Sequence, residues 1–427
     1  MDDTTALIVT ASFAGIVVLA VLARRLLLRS NFPNLPGPPA GSLLTGNVHR
    51  MRSRHSIKYR KHVTDTHGPL FKLAGPYGAE WLYIYDPKAL YSITIKDQDV
   101  WGKHGALLTM IMLGPGLLST EHHQHRKQRK MLTPVFSAAY LRNITSVFYE
   151  TTHKLRDDEA MQRLGEVKDV MSILLRANMT ASEKDRLAEE ELIAQVSTFI
   201  LAGMDTTSNA TSRVLHILAS KTDAQTKLPD EILEAQAGTE VSYDTLMELP
   251  FLDAVCRETL RVYAPVTTIS RYAVKDTVLG LSAPIRGTDG TLISEVPVPK
   301  GTAVLCDLGA CNTNAALWGP DAREWKPELF QQERWLAPLP REVEEARVPG
   351  VYSNLMTVHG GGRSCIGFKY AQLELKVVLA VLLANFRFEL SDKDIVWNSA
   401  GVMYPTVGPV SKKPEMPLKV SVFRERI

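Results

Sequence analysis

Apolar residues recur at helical spacing along most of the chain, and three stretches are long enough to predict helices. The longest covers about residues 191–219, where apolar positions lie nearly all round the predicted helix and so indicate a buried one. Two more helices are predicted over residues 252–263, ending before Pro265, and over residues 365–385. These patterns predict a mainly helical fold.

A smaller part of the chain has the pattern of β-structure. Residues 81–85 form an aromatic and β-branched run that predicts a strand. Residues 276–304 contain glycines at 280, 287, 290 and 301, a spacing that predicts strands joined by turns. The expected fold class is therefore mainly α with minor β.

The N-terminal segment has the pattern of a membrane anchor. Residues 6–23 are 18 residues without a charge, close to the length of about 20 apolar residues that spans a bilayer. Acidic residues at 2 and 3 precede the run and arginines at 24, 25 and 29 follow it, which predicts that the C-terminal body faces the cytoplasm. A cleaved signal peptide or a buried core helix is the alternative. We expect residues 1–28 to be a single-pass anchor.

Prolines at 33, 36, 38 and 39 follow this segment. Proline fixes φ and lacks a backbone donor, so residues 29–42 are expected to form a stiff, extended hinge. The remaining residues, 43–427, are expected to form one domain tethered to the membrane.

Composition narrows the class of protein. The 427 residues include 45% apolar residues and carry a net charge of +3, which suits a globular body and gives no reason to expect nucleic-acid binding. The four cysteines contain no C-x-x-C pair, so neither a zinc ribbon nor a disulfide framework is expected. A reducing compartment is the simpler interpretation.

The segment from Val358 to Gly367 carries the most informative motif. Glycines lie at 360, 361 and 362, Arg363 follows, and Cys365 comes just before a predicted helix. A helix N-terminus favours a thiolate and lowers the cysteine pKa, and a thiolate can hold haem iron. The alternative is an ordinary turn with a buried cysteine.

Other motifs are weak when taken singly. Glu258 and Arg261 share a helix face, as a surface ion pair also would. The run from Ala202 through Gly203 and Asp205 to Thr206 places poor helix formers inside the long helix, where a packing notch is the alternative. A basic helix face would equally explain a histidine and an arginine four residues apart, at 125 and 129.

Taken together and in order, these motifs resemble the cytochrome P450 family of membrane-anchored, fungal-like haem-thiolate monooxygenases. Val358 stands where the family has Phe, and Gln332 where it has Pro. The resemblance implies the cytochrome P450 fold after one transmembrane helix, and haem b as cofactor with Cys365 as axial iron ligand. The cofactor-binding residues that it implies are Arg129, His125, Arg271, Arg363, Ala202, Gly203, Gly361 and Gly367.

The same resemblance assigns proton relay to Thr206 and Asp205, and a buried structural network to Glu258, Arg261 and Arg334. It implies insertion of one oxygen atom from dioxygen into an apolar small molecule. Electrons would come from NADPH through cytochrome P450 reductase, with cytochrome b5 as a further partner, at the cytoplasmic face of the endoplasmic reticulum membrane. The alternatives are a catalytically impaired haem-binding truncation product and a haem-thiolate isomerase.

One interval does not fit the family. Arg129 and Ala202 are only 73 residues apart, whereas family members usually place about twice as many residues there. The polar run at 157–165 is the expected join, so we expect an internal truncation around residues 150–170. The residues expected to be missing are those that cover the substrate pocket in the family, and their loss would leave apolar surface exposed.

Overall fold

The computed structural model describes residues 5, 15, 30–42, 44–156, 174–175, 178–183, 186–236, 240–327 and 334–423. The predicted anchor lies outside these residues except for Thr5 and Gly15, and the predicted join at 157–165 lies outside them entirely. Within the described ranges, no helix combines the length and the apolar character needed to cross a membrane.

The helices of the described residues are short in the first part of the chain and longest in the second. In chain order they are α1 (Val48–Met51), α2 (Ser56–His67), α3 (Pro87–Tyr91), α4 (Ala106–Leu113), α5 (His122–Leu132), α6 (Ala138–Arg156), α7 (Glu189–Ser220), α8 (Thr222–Gln236), α9 (Tyr243–Glu248), α10 (Pro250–Val262), α11 (Leu308–Asn312), α12 (Ala315–Trp318), α13 (Arg341–Ala346) and α14 (Phe368–Asn385).

The strands lie mostly between α10 and α11 and near the chain ends. They are β1 (Leu70–Ala74), β2 (Glu80–Ile84), β3 (Trp101–Lys103), β4 (Thr268–Ala273), β5 (Thr277–Arg286), β6 (Leu292–Val298), β7 (Ala303–Asp307), β8 (Phe386–Leu390), β9 (Ile395–Ala400), β10 (Val402–Val407) and β11 (Leu418–Val422).

The chain divides into two units, and the first contains most of the β-structure. It comprises Met1–His104, Thr268–Cys311 and Asn398–Gly401. Its main sheet has the strand order β1-β2-β7-β4-β3, in which β2 and β7 are parallel and the other neighbours antiparallel. Phe71 and Tyr83 stack across β1 and β2 with ring centroids 4.8 Å apart and form the centre of a small core.

The second unit is mainly helical and comprises Gly105–Thr267, Asn312–Trp397 and Val402–Ile427. Its core joins apolar side chains of α6, α7, α8, α9, α10 and α14. The helix α14 lies at the centre of this core, with Leu373, Val377, Leu379 and Leu383 fully buried. The predicted helices at 252–263 and 365–385 are observed with slightly different bounds, as α10 and α14.

The prediction of all-round burial for the long helix is wrong. Residues such as Val214 and Leu218 of α7 are buried, but Ile193, Ile200 and Met204 are 61%, 58% and 65% exposed. The described helices that pack on α7 cover only one of its faces, and a Cβ added at Gly203 would have no described atom within 4 Å. Apolar composition alone therefore overestimated how much of this helix is covered.

A buried ion pair fixes α10 against the segment that follows α12. The Arg261 guanidinium donates two hydrogen bonds of 2.8 Å to the Glu258 carboxylate, and both side chains are fully buried. Trp335 Nε1 donates to Glu258 over 3.0 Å, and Arg334 Nε lies 3.5 Å from the same carboxylate. The structure thus brings together the three charged residues that the resemblance groups in a network.

Replacing Arg261 by alanine is expected to lower the free energy of unfolding by about 3–5 kcal/mol, because the buried Glu258 carboxylate loses its main partner. Urea denaturation measures the change. The matched control is Arg341→Ala, which removes an exposed helical ion pair with Glu345 and should leave stability almost unchanged. Equal stability of the two variants would contradict a structural role for the buried pair.

Candidate active site

The cysteine loop folds tightly just before α14. Cys365 N donates to Val358 O over 2.8 Å and Ser364 N donates to Gly361 O over 3.1 Å. Gly361 has φ of +65°, and a Cβ at Gly360 would lie 1.7 Å from Pro349 O, so both positions require glycine. The backbone therefore fixes where the Cys365 side chain begins.

Val358, which stands where the family has Phe, contacts both the core and the cysteine loop. The Val358 side chain packs against the main core of the second unit, and its carbonyl accepts the hydrogen bond from the cysteine N–H. A smaller apolar side chain at this position is therefore compatible with the folded loop.

Two arginines tie the loop to the region around α5. Arg129 donates from Nη1 to Ser364 O over 2.7 Å and from Nη2 to Ser364 Oγ over 2.9 Å. Arg363 Nη1 donates to Thr120 O, just before α5, over 2.7 Å. Each of these hydrogen bonds has a charged donor and is therefore stronger than a neutral one. One arginine lies on α5 and bonds the loop, and the other lies in the loop and bonds the chain before α5.

Cys365 is an exposed residue, whereas the other three cysteines are buried. Enough protein nevertheless surrounds the sulfur that desolvation raises the pKa of the Cys365 thiol. A hydrogen bond from Gly367 N–H and the nearby Arg129 charge act in the opposite direction but do not reverse the shift. The expectation that the position at the helix N-terminus lowers the pKa of Cys365 is therefore wrong, because desolvation of the thiol outweighs that effect. Gly367 is the N-cap residue of α14.

The small-residue segment of α7 shares a helix face with residues that pack near the cysteine loop. Ile366 belongs to one apolar cluster with Phe199, and the Phe199 ring lies 5.7 Å from that of Phe136. Phe136 in turn is the neighbour of Gly367, at 3.5 Å from an added Cβ. Gly203 follows Phe199 by four residues and so lies on the same face of α7.

The predicted relay residues lie on the open part of α7. Thr206 Oγ1 donates to Ala202 O over 2.7 Å, as a helical threonine often does, and its oxygen keeps acceptor capacity. Ala202, Gly203 and Asp205 are exposed, and Thr206 is half-buried. The segment is thus accessible on the side where it has no described neighbours.

The helix α5 is fixed to the start of α7 by glutamine and glutamate side chains. Gln128 and Gln124 donate to Glu191 over 2.8 and 3.1 Å, and Glu191 also accepts from Ala188 N. His125 is buried on the same helix. Arg271 instead lies on β4 in the first unit, where it donates to Ser270 O, and its predicted role stays a prediction.

Sequence reasoning missed one half-buried carboxyl near the predicted relay, that of Glu374. Burial raises the pKa of Glu374 on α14, and a hydrogen bond with the Thr207 side chain only partly offsets the shift. Thr207 adjoins Thr206 on α7 and is itself buried. A single glutamate within a helical pattern forms no motif, so only the packing of α14 against α7 reveals this pair.

Comparison with known proteins decides the family. A family model described as Cytochrome P450 matches residues 137–408, more than half of the chain. The chain belongs to the cytochrome P450 family. It is 42% identical to Cytochrome P450 monooxygenase 91 of Postia placenta, covering 93% of this chain and 96% of that protein. It is also 41% identical to the Ganoderma lucidum protein named Ganoderic acid synthetase CYP5150L8, with 99% and 100% covered.

These alignments are longer than the chain itself. The alignment with the Ganoderma protein has 552 positions against 427 residues here, so at least 125 of its positions have no residue of this chain. The alignment with the Postia protein has 527 positions, so at least 100 of them have no residue of this chain. The two relatives therefore contain sequence that this cytochrome P450 lacks.

The residues present fit the haem that the cytochrome P450 family uses. Cys365, the only exposed cysteine of the described residues, lies just before α14, within a loop held by Arg129 and Arg363. Gly203 lies on the same face of α7 as Phe199, and no described atom lies within 4 Å of a Cβ added there, so no described side chain excludes a flat group at that position. A thiolate ligand and two cations are the donor set that haem iron and its propionates require.

Replacing Glu374 by glutamine is expected to change the pH dependence of stability. Because burial raises the pKa of Glu374 above its unfolded value, wild-type stability loses a contribution as pH rises through the folded-state pKa. The glutamine variant has no such loss. The free energy of unfolding of the variant, relative to that of wild type, should therefore increase from about pH 4 to about pH 8. Urea denaturation across this range measures it. Glu248→Gln, at an exposed carboxyl, should show no comparable trend; equal trends would contradict the assignment.

Proposed function

We propose that this cytochrome P450 is a haem-dependent monooxygenase that inserts one atom of dioxygen into an apolar organic substrate. Its electrons come from NADPH through a reductase. Haem-dependent oxygenation is the general activity of the family, and the monooxygenase names of its relatives agree with it. The observation that supports the proposal best is the position of Cys365, an exposed residue just before α14 in a loop that Arg129 holds in place.

The proposal gives each residue of the site a role. Cys365 Sγ would hold the iron, and Arg129 with Arg363 would provide positive charge for the propionates, while the hydrogen bonds of the two arginines keep the loop in place. The resemblance adds His125 and Arg271 to the propionate set. When bound, haem supplies the redox chemistry that activates dioxygen. Ala202 and Gly203 leave room on α7, since neither has a side chain large enough to fill the exposed face.

Proton delivery is the proposed role of Thr206 and Asp205. The Thr206 hydroxyl donates a hydrogen bond to Ala202 O. Its own oxygen can still accept a hydrogen bond from a group on the open side of α7. The Asp205 carboxyl is exposed one residue earlier and can exchange protons with bulk water. Asp205 and Thr206 would therefore pass protons from bulk water to the face of α7 that carries the Thr206 hydroxyl.

The membrane location and the partners extend the proposal. Residues 1–28 anchor the chain in the endoplasmic reticulum membrane, with the body on the cytoplasmic side, as the charges around the apolar run predict. Arg126, Lys127 and Lys130 on α5 contribute basic character for docking an acidic reductase, and cytochrome b5 is a second electron donor of the same charge class.

The exposed apolar surface supports a second candidate function. Leu107, Leu108 and Ile111 of α4 are 75%, 62% and 73% exposed, and α7 is open along its own apolar face. Such surface is what an internal truncation over the substrate pocket would leave uncovered. The second candidate is therefore a haem-binding protein with impaired catalysis. An isomerase is less well supported, because Ala202, Gly203, Asp205 and Thr206 complete the motif of oxygen-using members.

Reconstitution with a cytochrome P450 reductase and NADPH under ¹⁸O₂ tests the proposed activity. The wild-type protein is expected to incorporate one labelled oxygen atom into an apolar substrate, detected by mass spectrometry. Thr206→Ala should retain haem yet lower product formation about a hundredfold, because proton transfer loses its relay group. The matched control is Thr151→Ala, since Thr151 also donates to a helix carbonyl, Val147 O, but on α6.

The outcomes separate the two candidates. Haem binding without NADPH consumption or label incorporation would overturn the monooxygenase and favour the impaired haem protein. Equal product from wild type and Thr206→Ala would contradict the relay role while leaving the monooxygenase in place.

A further inference from the structure

The last strand of the second unit has a neighbouring strand on one side only. The strands β11 and β8 form a two-stranded antiparallel sheet, and no third strand of the described residues joins it. Four of the five residues of β11 are exposed, among them Val420 at 55% and Val422 at 64%. An exposed edge strand with apolar side chains is a template for pairing with another strand.

A glutamine on α8 shows which way the backbone of this sheet points. Gln225 Nε2 donates to Phe388 O over 2.9 Å, and Gln225 Oε1 accepts from Phe388 N over 2.8 Å. Both backbone groups of Phe388 therefore point away from β11. Val420 lies directly opposite Phe388. Opposite residues of an antiparallel ladder bond each other only at every second pair, so the N–H and C=O of Val420 point away from β8.

A second hydrogen bond agrees with this alternation. Phe423 N donates to Asn385 O over 2.7 Å, three positions farther along the ladder, where a bonded pair is due. Leu418 and Val422 have the same backbone direction as Val420, because each is two residues from it. Their N–H and C=O groups lie along the outer edge of β11, and no residue of the described ranges bonds them.

The apolar side chains of the sheet lie in rows that continue to this edge. Val420 is opposite Phe388, a residue of the main core, and Val422 is opposite Phe386. Side chains of opposite residues lie on the same face of a sheet and contact each other. One face of the sheet is therefore apolar from the core to the open edge.

The other face of β11 carries one charge, which is balanced within the same sheet. Lys419 lies opposite Glu389, and both residues are exposed. Opposite charges at such positions attract each other. A lysine often keeps other strands away from an edge, but here its charge has a partner on β8.

The sequence of β11 is complementary to itself about Val420. When two copies of the strand pair antiparallel with Val420 opposite Val420, all five residues of each strand are paired. Leu418 then lies opposite Val422 of the second copy, and Lys419 lies opposite Ser421. The apolar rows continue from one copy into the other. An axis at Lys419 would instead place two lysines directly opposite each other, which is unfavourable.

We propose that two copies of the chain associate through β11, antiparallel about a twofold axis at Val420. The outward N–H groups of each strand donate to the outward C=O groups of the other, and the two sheets become one sheet in the order β8-β11-β11-β8. A two-stranded sheet is only marginally stable, so added strands stabilise it. A twofold interface of this kind uses the same surface of both copies. The proposal does not depend on haem, substrate or the anchor of the proposed function.

Oxidative cross-linking of cysteine variants tests the register, with the full chain in detergent micelles. The two Cα atoms at position 420 would be about 5.5 Å apart, so Val420→Cys is expected to form a disulfide-linked dimer. The matched control is Lys419→Cys, whose two Cα atoms would be about 7–8 Å apart on a diagonal. Cross-linking of Lys419→Cys should be about tenfold slower, because that distance exceeds the usual range of a disulfide. The wild-type chain measures the background from Cys365.

Charge variants at the axis test whether the partner is a second copy of the chain. Val420→Lys and Val420→Glu each place two like charges opposite each other. Each variant alone is expected to be monomeric in sedimentation velocity at concentrations where wild type self-associates, and an equimolar mixture should regain the association. The control is Val410→Lys, at a residue that is 87% exposed outside the strands, which should associate like wild type. Regained association of the mixture also shows that both variants are folded.

Four results would overturn the proposal. Equal cross-linking rates of Val420→Cys and Lys419→Cys would indicate random collision, and unchanged association of Val420→Lys would assign the contact to another surface. A wild-type chain that stays monomeric at every concentration measured would exclude the dimer. Protection of the Val420 N–H from hydrogen exchange that does not change with protein concentration would assign the edge to another segment of the same chain.

Discussion

The contact between Arg129 and Ser364 is the interaction on which the candidate site depends. It joins α5 to the residue next to Cys365, through two hydrogen bonds from one guanidinium. Arg363 makes the reciprocal link, from the loop back to the chain before α5. Because both arginines carry charge that a bound haem also needs, the groups that shape the loop are the groups that would meet the propionates.

A second constraint acts at the other end of the same core. The Glu258–Arg261 pair is fully buried and is joined by Trp335 and Arg334, so these two residues before the cysteine loop are fixed to α10. Asn312 connects the two regions, since its carbonyl accepts from Arg261 and its amide oxygen accepts from Met356 N. The position of the cysteine loop therefore depends on charges well outside it.

Local sequence was sufficient to predict the helices α10 and α14 and the residues of the cysteine loop, because capping, glycine conformation and periodicity are short-range properties. Local sequence was not sufficient to predict which residues surround these elements in the folded chain. The periodicity of α7 could not show that Ile200 and Met204 lack described neighbours. The helix N-terminus suggested a lowered pKa for Cys365, but the desolvation that raises it depends on residues distant in sequence. Glu374 was missed for the same reason, since its partner Thr207 lies on another helix.

The central claim is that Cys365 binds haem iron as a thiolate, and the carbon-monoxide difference spectrum of the reduced protein tests it most directly. The wild-type protein is expected to show the Soret band typical of a thiolate ligand. Cys365→Ser should lose that band while the far-ultraviolet circular dichroism stays unchanged, and Cys306→Ala, at a buried cysteine, should keep it. A thiolate-type band that survives in Cys365→Ser, or its absence from haem-loaded wild-type protein, would contradict the account.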